Sequence, residues 1–429
     1  MKRLRLGALL GLVVFSLVAL PHQPTTAQET WRVESVRPVV DLVEEYNIPT
    51  QIYVAPDARH VAYGGGEEIC ILDLYSLDER CLALERELAY SFPMNDFYPP
   101  LSWSPDSTKL ALVGMPFHYM RDTDLGLVDV PSLTFTNLSD DRYAGKLFLT
   151  NEAAGAFMET QPVFSITGQL AVERAQVTAE GRAEVSTIAV ADLASGDFRE
   201  LSRLPGHEKY EVDTGSVIGM DWSPDGATLA VSLRHREFDE LIDGIWLLDV
   251  ESAEWTPLVS LTSALVAMQT AIPAMPPEGI QMIAPVKWSP DGSRLLFWAG
   301  DSGSYAGMIW AFWLELDTGE ISVVSLPTTP HDTPEQRLNW PFQAVWSPDG
   351  SYLLVAARFS LGIDPEDLVP LDPAEPESGD NGLFIVDPET GESTLLGHLP
   401  RTIYPYFTAA WAPDGSVIAG GYSFNLTHE

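Results

Sequence analysis

The amino-acid sequence predicts an all-β chain: a seven-bladed β-propeller of four-stranded antiparallel blades, with the last blade closed by the N-terminal segment. Three observations predict it. A tight-turn motif recurs at seven stations, short apolar strands stand at fixed offsets from each station, and the last repeat ends before its strands are complete. The pentapeptides Trp222-Ser223-Pro224-Asp225-Gly226, Trp288-Ser289-Pro290-Asp291-Gly292 and Trp346-Ser347-Pro348-Asp349-Gly350 are identical. Trp103-Ser104-Pro105-Asp106-Ser107 and Trp411-Ala412-Pro413-Asp414-Gly415 each differ at one position. Val54-Ala55-Pro56-Asp57-Ala58 and Phe164-Ser165-Ile166-Thr167-Gly168 are degenerate copies, and successive lead residues lie 49 to 66 residues apart. A self-similar period of this kind is the mark of a repeat architecture.

Each copy opens the same local pattern. An apolar first strand ends at the lead residue. Proline then presets φ, the aspartate bonds nearby backbone, and glycine accepts a positive φ. A second strand follows, as in Thr228-Leu229-Ala230-Val231 and Tyr352-Leu353-Leu354-Val355. After a variable loop a third strand ends near Asp, as in Trp246-Leu247-Leu248-Asp249 and Phe384-Ile385-Val386-Asp387, and a polar turn leads to a fourth. Four short antiparallel strands per repeat, arranged radially, make a propeller. The final repeat has room after Trp411 only for Val417 to Phe424 as a further strand, so the missing strands must come from elsewhere. Trp31–Val36 and Val39–Val43 offer them, because a closed ring leaves no open sheet edge.

These repeats resemble the TolB-type propeller repeats, the relatives of WD repeats that carry Trp-Ser-Pro-Asp-Gly and occur in exported bacterial proteins. The resemblance covers residues 50–420. It implies the propeller fold and is unspecific for function: the family includes scaffolding proteins of the Tol–Pal envelope system, and related propellers precede peptidase domains. Neither companion is expected here. About 20 residues separate the leader from the first repeat, too few for an additional N-terminal domain. No Gly-x-Ser-x-Gly elbow is present: Gly421-Tyr422-Ser423-Phe424-Asn425 lacks the second glycine.

The chain has 429 residues, 61 Asp+Glu against 24 Lys+Arg, and a formal net charge of -37. Phosphate-backbone binding needs clustered basic residues, so nucleic acid is excluded as a partner. Lys2, Arg3 and Arg5 precede the apolar run Leu6–Leu20, and Pro21 to Ala27 complete an export signal with cleavage expected before Gln28. Residues 1–27 are thus read as a leader and 28–429 as one propeller. The mature chain has no expected membrane span and acts as a monomer in the periplasm, at the cell envelope or outside the cell. Export permits a disulfide between Cys70 and Cys81, the only two cysteines, on what read as neighbouring strands; two separate buried thiols are the alternative.

The repeat tryptophans Trp103, Trp222, Trp288, Trp346 and Trp411 share one position and are read as core residues, and Asp106, Asp225, Asp291, Asp349 and Asp414 as turn-formers. Among residues just before the lead positions, Asp221 and Lys287 stand in adjacent repeats and are placed to pair at the channel. The second-to-third loops and the blade-to-blade connections must leave the sheets at one end, where binding residues gather on a rigid scaffold. His118, His207, His235, His331 and His398 fall in those segments, as do the aromatics Tyr119, Tyr305, Trp340, Tyr404 and Tyr406. The segment 357–381 is strongly acidic, so calcium or another divalent cation has oxygen ligands available, although no EF-hand spacing occurs. No cofactor is called for.

Two functions follow. The first is an exported, non-catalytic propeller that binds a protein, peptide or saccharide on its loop-rich face. The second is an axial-pocket enzyme, a metal-dependent polysaccharide lyase or a glycoside hydrolase. A cluster of three or more His, Gln or carboxylate side chains in the pocket would favour the enzyme.

Overall fold

The computed structural model describes residues 31–38, 53–65, 68–84, 101–113, 123–143, 154–179, 186–206, 215–235, 242–271, 282–300, 309–324, 340–358, 381–399, 409–412, 414–419 and 422–428. They form seven four-stranded antiparallel sheets, each ordered by sequence from the inside outward except the last. Blade 1 runs from the strand Tyr53–Val54 to Glu79–Ala83, and blade 2 from Leu101–Trp103 to Thr134–Asn137. Blade 3 runs from Phe157–Phe164 to Phe198–Arg203, and blade 4 from Gly215–Trp222 to Trp255–Ser260. Blade 5 runs from Met282–Trp288 to Ile321–Val323, and blade 6 from Trp340–Trp346 to Ser393–Leu399. Blade 7 is Ala409–Trp411, Val417–Ala419, Tyr422–His428 and, outermost, the N-terminal strand Trp31–Pro38.

The closure needs one N-terminal strand rather than several. The stretch after Trp411 divides into two strands, and Trp31–Pro38 pairs with the second of them from Trp31↔His428 to Pro38↔Tyr422. Trp31 packs edge-on to Tyr352 of blade 6 and Trp411 of blade 7, with ring centroids 5.1 and 6.0 Å apart. The first strand of the sequence thus joins the last to the neighbouring blade. Val39–Val43 lie outside the described residues.

One end of the ring is closed by two families of tight turn. In the first-to-second turns the Ser hydroxyl donates to the Asp carboxylate at 2.6 Å in blades 2, 4, 5 and 6. The same Ser oxygen accepts the amide five residues on, at 2.9 to 3.0 Å. Glycine follows the Asp at φ 71 to 83° in blades 4 to 7, a region closed to most side chains. In the third-to-fourth turns an aspartate caps the amides two and three residues ahead, as Asp192 does for Ala194 and Ser195. These turns account for many acidic residues, because their carboxylates are bonded to backbone. Cys70 and Cys81 face each other across the third and fourth strands of blade 1 and are bonded, with an S–S distance of 2.03 Å.

Between blades lie apolar seams. Blades 4 and 5 share Ile245, Val259, Phe297 and Phe312. The helix Leu261–Ala271, the single α-helix among the described residues, lays Leu261, Ala264 and Leu265 on that seam, the i, i+3, i+4 spacing of one helical face. The repeat tryptophans do more than fill space. Trp103 Nε1 donates to the carbonyl of Tyr53, Trp222 Nε1 to that of Val163, and Trp288 Nε1 to that of Asp221, each in the preceding blade, at 3.0 to 3.2 Å.

Two outcomes are expected from this geometry. Trp31→Ala, which opens the closure, should cost about 2 kcal/mol or more in a urea titration. Asp225→Ala, which removes both turn bonds in one blade, should cost about 1 kcal/mol with the same near-UV circular dichroism.

Candidate functional site

Antiparallel alternation fixes which segments share an end. The tight turns hold one end; the second-to-third loops and blade-to-blade connections leave from the other. His118, Tyr119, His207, Tyr305, His331, Tyr404 and Tyr406 lie outside the described residues, as does most of the acidic segment 357–381. His235, Trp340 and His398 stand at or next to the loop-rich ends of their strands, paired with Gly215, Arg358 and Gly382. The sequence thus places these three at one end of the ring, and no side-chain cluster among them is described.

Asp221 and Lys287 do meet. Lys287 Nζ lies 3.3 Å from one carboxylate oxygen of Asp221, and the other oxygen accepts the amide of Trp288 at 2.8 Å. Ser102 does the same at the seam of blades 2 and 3, its hydroxyl accepting the amide of Phe164 at 3.0 Å. The residue before the lead position therefore ties one inner strand to the next wherever it carries a short polar side chain. Asp221 is engaged on both oxygens by blade 5.

The most buried charge lies elsewhere, in the seam between blades 2 and 3. Glu159 on the inner strand of blade 3 has a fully buried side chain. Its Oε2 accepts from Ser139 at 2.7 Å and its Oε1 from Arg174 Nε at 2.8 Å. The Ser139 hydroxyl also accepts the amide of Leu125, and Thr123 exchanges two hydrogen bonds with the Glu159 backbone. Asn137 donates to Asp124 beside this cluster at 2.5 Å. The Arg174 guanidinium carbon lies 3.8 Å over the ring of Phe157 and 4.3 Å over that of Phe198.

A bulge makes this placement. Regular alternation would turn Glu159 and Val163 to the same side of the sheet. The register shifts between Thr160 and Val163, with Gln161 at φ 53°. Glu159 therefore faces blade 2, while Val163 joins the blade 3–4 core. Thr160 and Glu173 turn the other way, the hydroxyl donating to the carboxylate at 2.7 Å, and Glu173 accepts the amide of Val217 in blade 4 at 3.3 Å.

Burial pushes the Glu159 carboxyl up to about 8 from an ordinary 4.5, against the opposing pull of Ser139 and Arg174 and with the Asp124 carboxylate adding to the rise. The turn aspartates Asp106, Asp225, Asp291 and Asp349 are held below their ordinary 3.8, first by the serine hydroxyl in each turn. Sequence reasoning missed Glu159, Glu173 and Arg174 because it searched loops and pre-lead positions. The signal was there: where blade 3 has Glu159 and Arg174, blades 4 to 6 carry Val217, Ile283 and Pro341 and, opposite them, Leu233, Ala299 and Ala357.

Among the described residues one group of three metal-type side chains converges, Glu68 with Cys70 and Cys81, and its two sulfurs are committed to the disulfide. No family model matches the chain, and no curated protein matches it. Among solved structures, an oligogalacturonate lyase in complex with manganese is similar at a TM-score of 0.53 and 15% identity, covering 93% of this chain and 96% of that one. TolB from Acinetobacter baumannii is similar at 0.41 and 14%, covering 82% and 65%. The β-propeller domain of the Trilobed protease from Pyrococcus furiosus is similar at 0.43 and 12%, covering 88% and 92%. At these identities the likeness is one of fold.

Between pH 4.5 and about 8 the folded protein keeps a proton on Glu159 that the unfolded chain has released. The Glu159 contribution is therefore fully present below 4.5 and declines as the pH rises towards 8. The turn aspartates act in the opposite sense: their contribution is present above 3.8 and fades as the pH falls through their lowered values. Urea titrations should show stability falling with pH across the Glu159 window, and Glu159→Gln should flatten that limb while leaving the acid limb in place.

Proposed function

We propose that this chain is an exported, non-catalytic propeller that holds a protein or peptide partner on its loop-rich face. The observation that carries the reading is the division of labour between the two ends. Tight turns with bonded carboxylates close one end, and every longer connection leaves from the other. A rigid ring with variable loops on one face is a scaffold for recognition. The engagement of Asp221 with Lys287 and Trp288 supports the same reading, since these charges hold a seam.

Residues 1–27 are read as the export leader, which places the folded ring in the periplasm, at the envelope or outside the cell. Cys70 and Cys81 are suited to such an oxidising compartment. No helix among the described residues is long and apolar enough to cross a membrane.

The test compares the two ends. A photo-crosslinking amino acid is introduced in turn at Trp340, Tyr404 and Tyr406 on the loop-rich side, and at Tyr75 and Ile166, exposed residues of the turn side. In cells exporting the protein, adducts are expected from the first set alone. Equal adducts from the second set would overturn the reading. So would cleavage of oligogalacturonate by protein loaded with manganese, which would establish the lyase instead.

A further inference from the structure

Blade 3 departs from its neighbours at one register position. In blades 4, 5 and 6 the residues five before the lead position pair as Val217 with Leu233, Ile283 with Ala299, and Pro341 with Ala357. In blade 3 the equivalent pair is Glu159 with Arg174. A packed apolar pair holds a seam at least as well as two charges taken out of water. The stability of the ring therefore does not call for this polar pair.

Arg174 is built to present one edge. Its Nε is spent on Glu159, and Phe157 and Phe198 turn ring faces to the guanidinium. Its two terminal nitrogens donate to no acceptor among the described residues, and 17% of the side chain reaches solvent. The rings and the carboxyl fix the fork before any ligand arrives, which lowers the ordering cost of binding.

We propose that the free edge of Arg174 recognises the carboxylate of a peptide segment, a chain terminus or an acidic side chain, carried by the partner. This rests on the interaction reading above and names the chemistry that one part of the surface takes. A planar carboxylate matches the in-plane N–H fork. Sugar rings bind by stacking on exposed aromatic faces, and here both rings are already turned to the guanidinium. The charged groups around the site are Glu159 on the same sheet and Asp124 across the seam; Asp141 accepts the amide of Phe157, and Glu173 turns to blade 4. That acidic setting repels a phosphate dianion more than a carboxylate monoanion. Protonation of Glu159 leaves the charge of Arg174 to the incoming group.

The test titrates the mature, full-length protein with an N-acetylated tetrapeptide as free acid and as carboxamide, and with galacturonate and inorganic phosphate, by calorimetry. The free acid should bind about ten-fold more tightly than the amide and the other two anions, and more tightly as the pH falls from about 8 to about 6. Arg174→Gln should lose about ten-fold, Arg174→Lys part of that, and Glu159→Gln should tighten binding near pH 8 and remove its pH dependence. Near-UV circular dichroism shows which variants remain folded; if Arg174→Gln does not, Arg174→Lys and Glu159→Gln decide. Equal binding of acid and amide, stronger binding of galacturonate or phosphate, or unchanged binding in folded Arg174 variants would overturn the proposal. Crosslinks from the loop-rich face alongside unchanged Arg174 variants would remove this site and leave the interaction reading intact. Carboxylate binding without such crosslinks would remove the interaction reading and leave the site.

Discussion

The inner strands of blades 1 to 5 are tied each to the next by a hydrogen bond across the seam, whereas the indole N–H groups of Trp346 and Trp411 are buried with no acceptor among the described residues. The tie recurs as a single contact: the indole N–H of a repeat tryptophan donates to a carbonyl of the preceding blade, at Trp103, Trp222 and Trp288. An indole is large enough to fill a seam and carries one donor at its rim, so one residue supplies apolar burial and direction together. Where the preceding residue is Ser102 or Asp221, a side-chain acceptor adds a second tie to the backbone of the next blade. The N-terminal strand completes the circuit, setting Trp31 against rings of blades 6 and 7.

That constraint sorts the charges. A chain with 61 acidic residues must place them where they cost little. The turn end takes many of them, because a carboxylate that accepts two or three backbone amides is stabilised in its charged form. Arg59 with Asp73, at 2.5 Å, and the partly buried Arg294 with Glu315, at 2.5 Å, add ion pairs within blades 1 and 5. Asp124, Glu173 and Asp243 are buried as well, and Glu159 is the most buried of these four: it lies beside another carboxylate, and its charge is opposed by its surroundings. The acidic and basic limbs of stability therefore arise at opposite places, the turns on one side and a single seam on the other.

The two ends of the ring differ in the connections they carry. The turn end offers short, bonded loops with little freedom to adapt, whereas the opposite end carries the longer connections. Between them the seams are mostly apolar, and the seam of blades 2 and 3 admits the buried Glu159 carboxyl bonded to the partly exposed guanidinium of Arg174. A site at a seam draws on two blades at once, so its geometry is set by the packing of the ring and not by one loop. The manganese-bound lyase that shares the fold illustrates that such a ring can also host catalysis, so the chemistry has to be argued from the residues.

The sequence by itself determined the repeat count, the strand pattern within the repeats, the two turn families and the N-terminal segment that closes the ring; that one strand of that segment suffices came from the structure. The sequence could do so because proline, aspartate and glycine act over a few residues, and a local rule repeated seven times becomes a global one. It also placed Asp221 and Lys287 in adjacent repeats, which is why their contact could be anticipated. Only the tertiary structure decided that Glu159 and Arg174 face blade 2, because a bulge at Gln161 shifts the alternation by one residue. Strand patterning alone does not register such a shift. The company of Ser139, Asp124 and Phe198 was likewise beyond the sequence, since these groups come from different strands and loops and meet only when the ring closes.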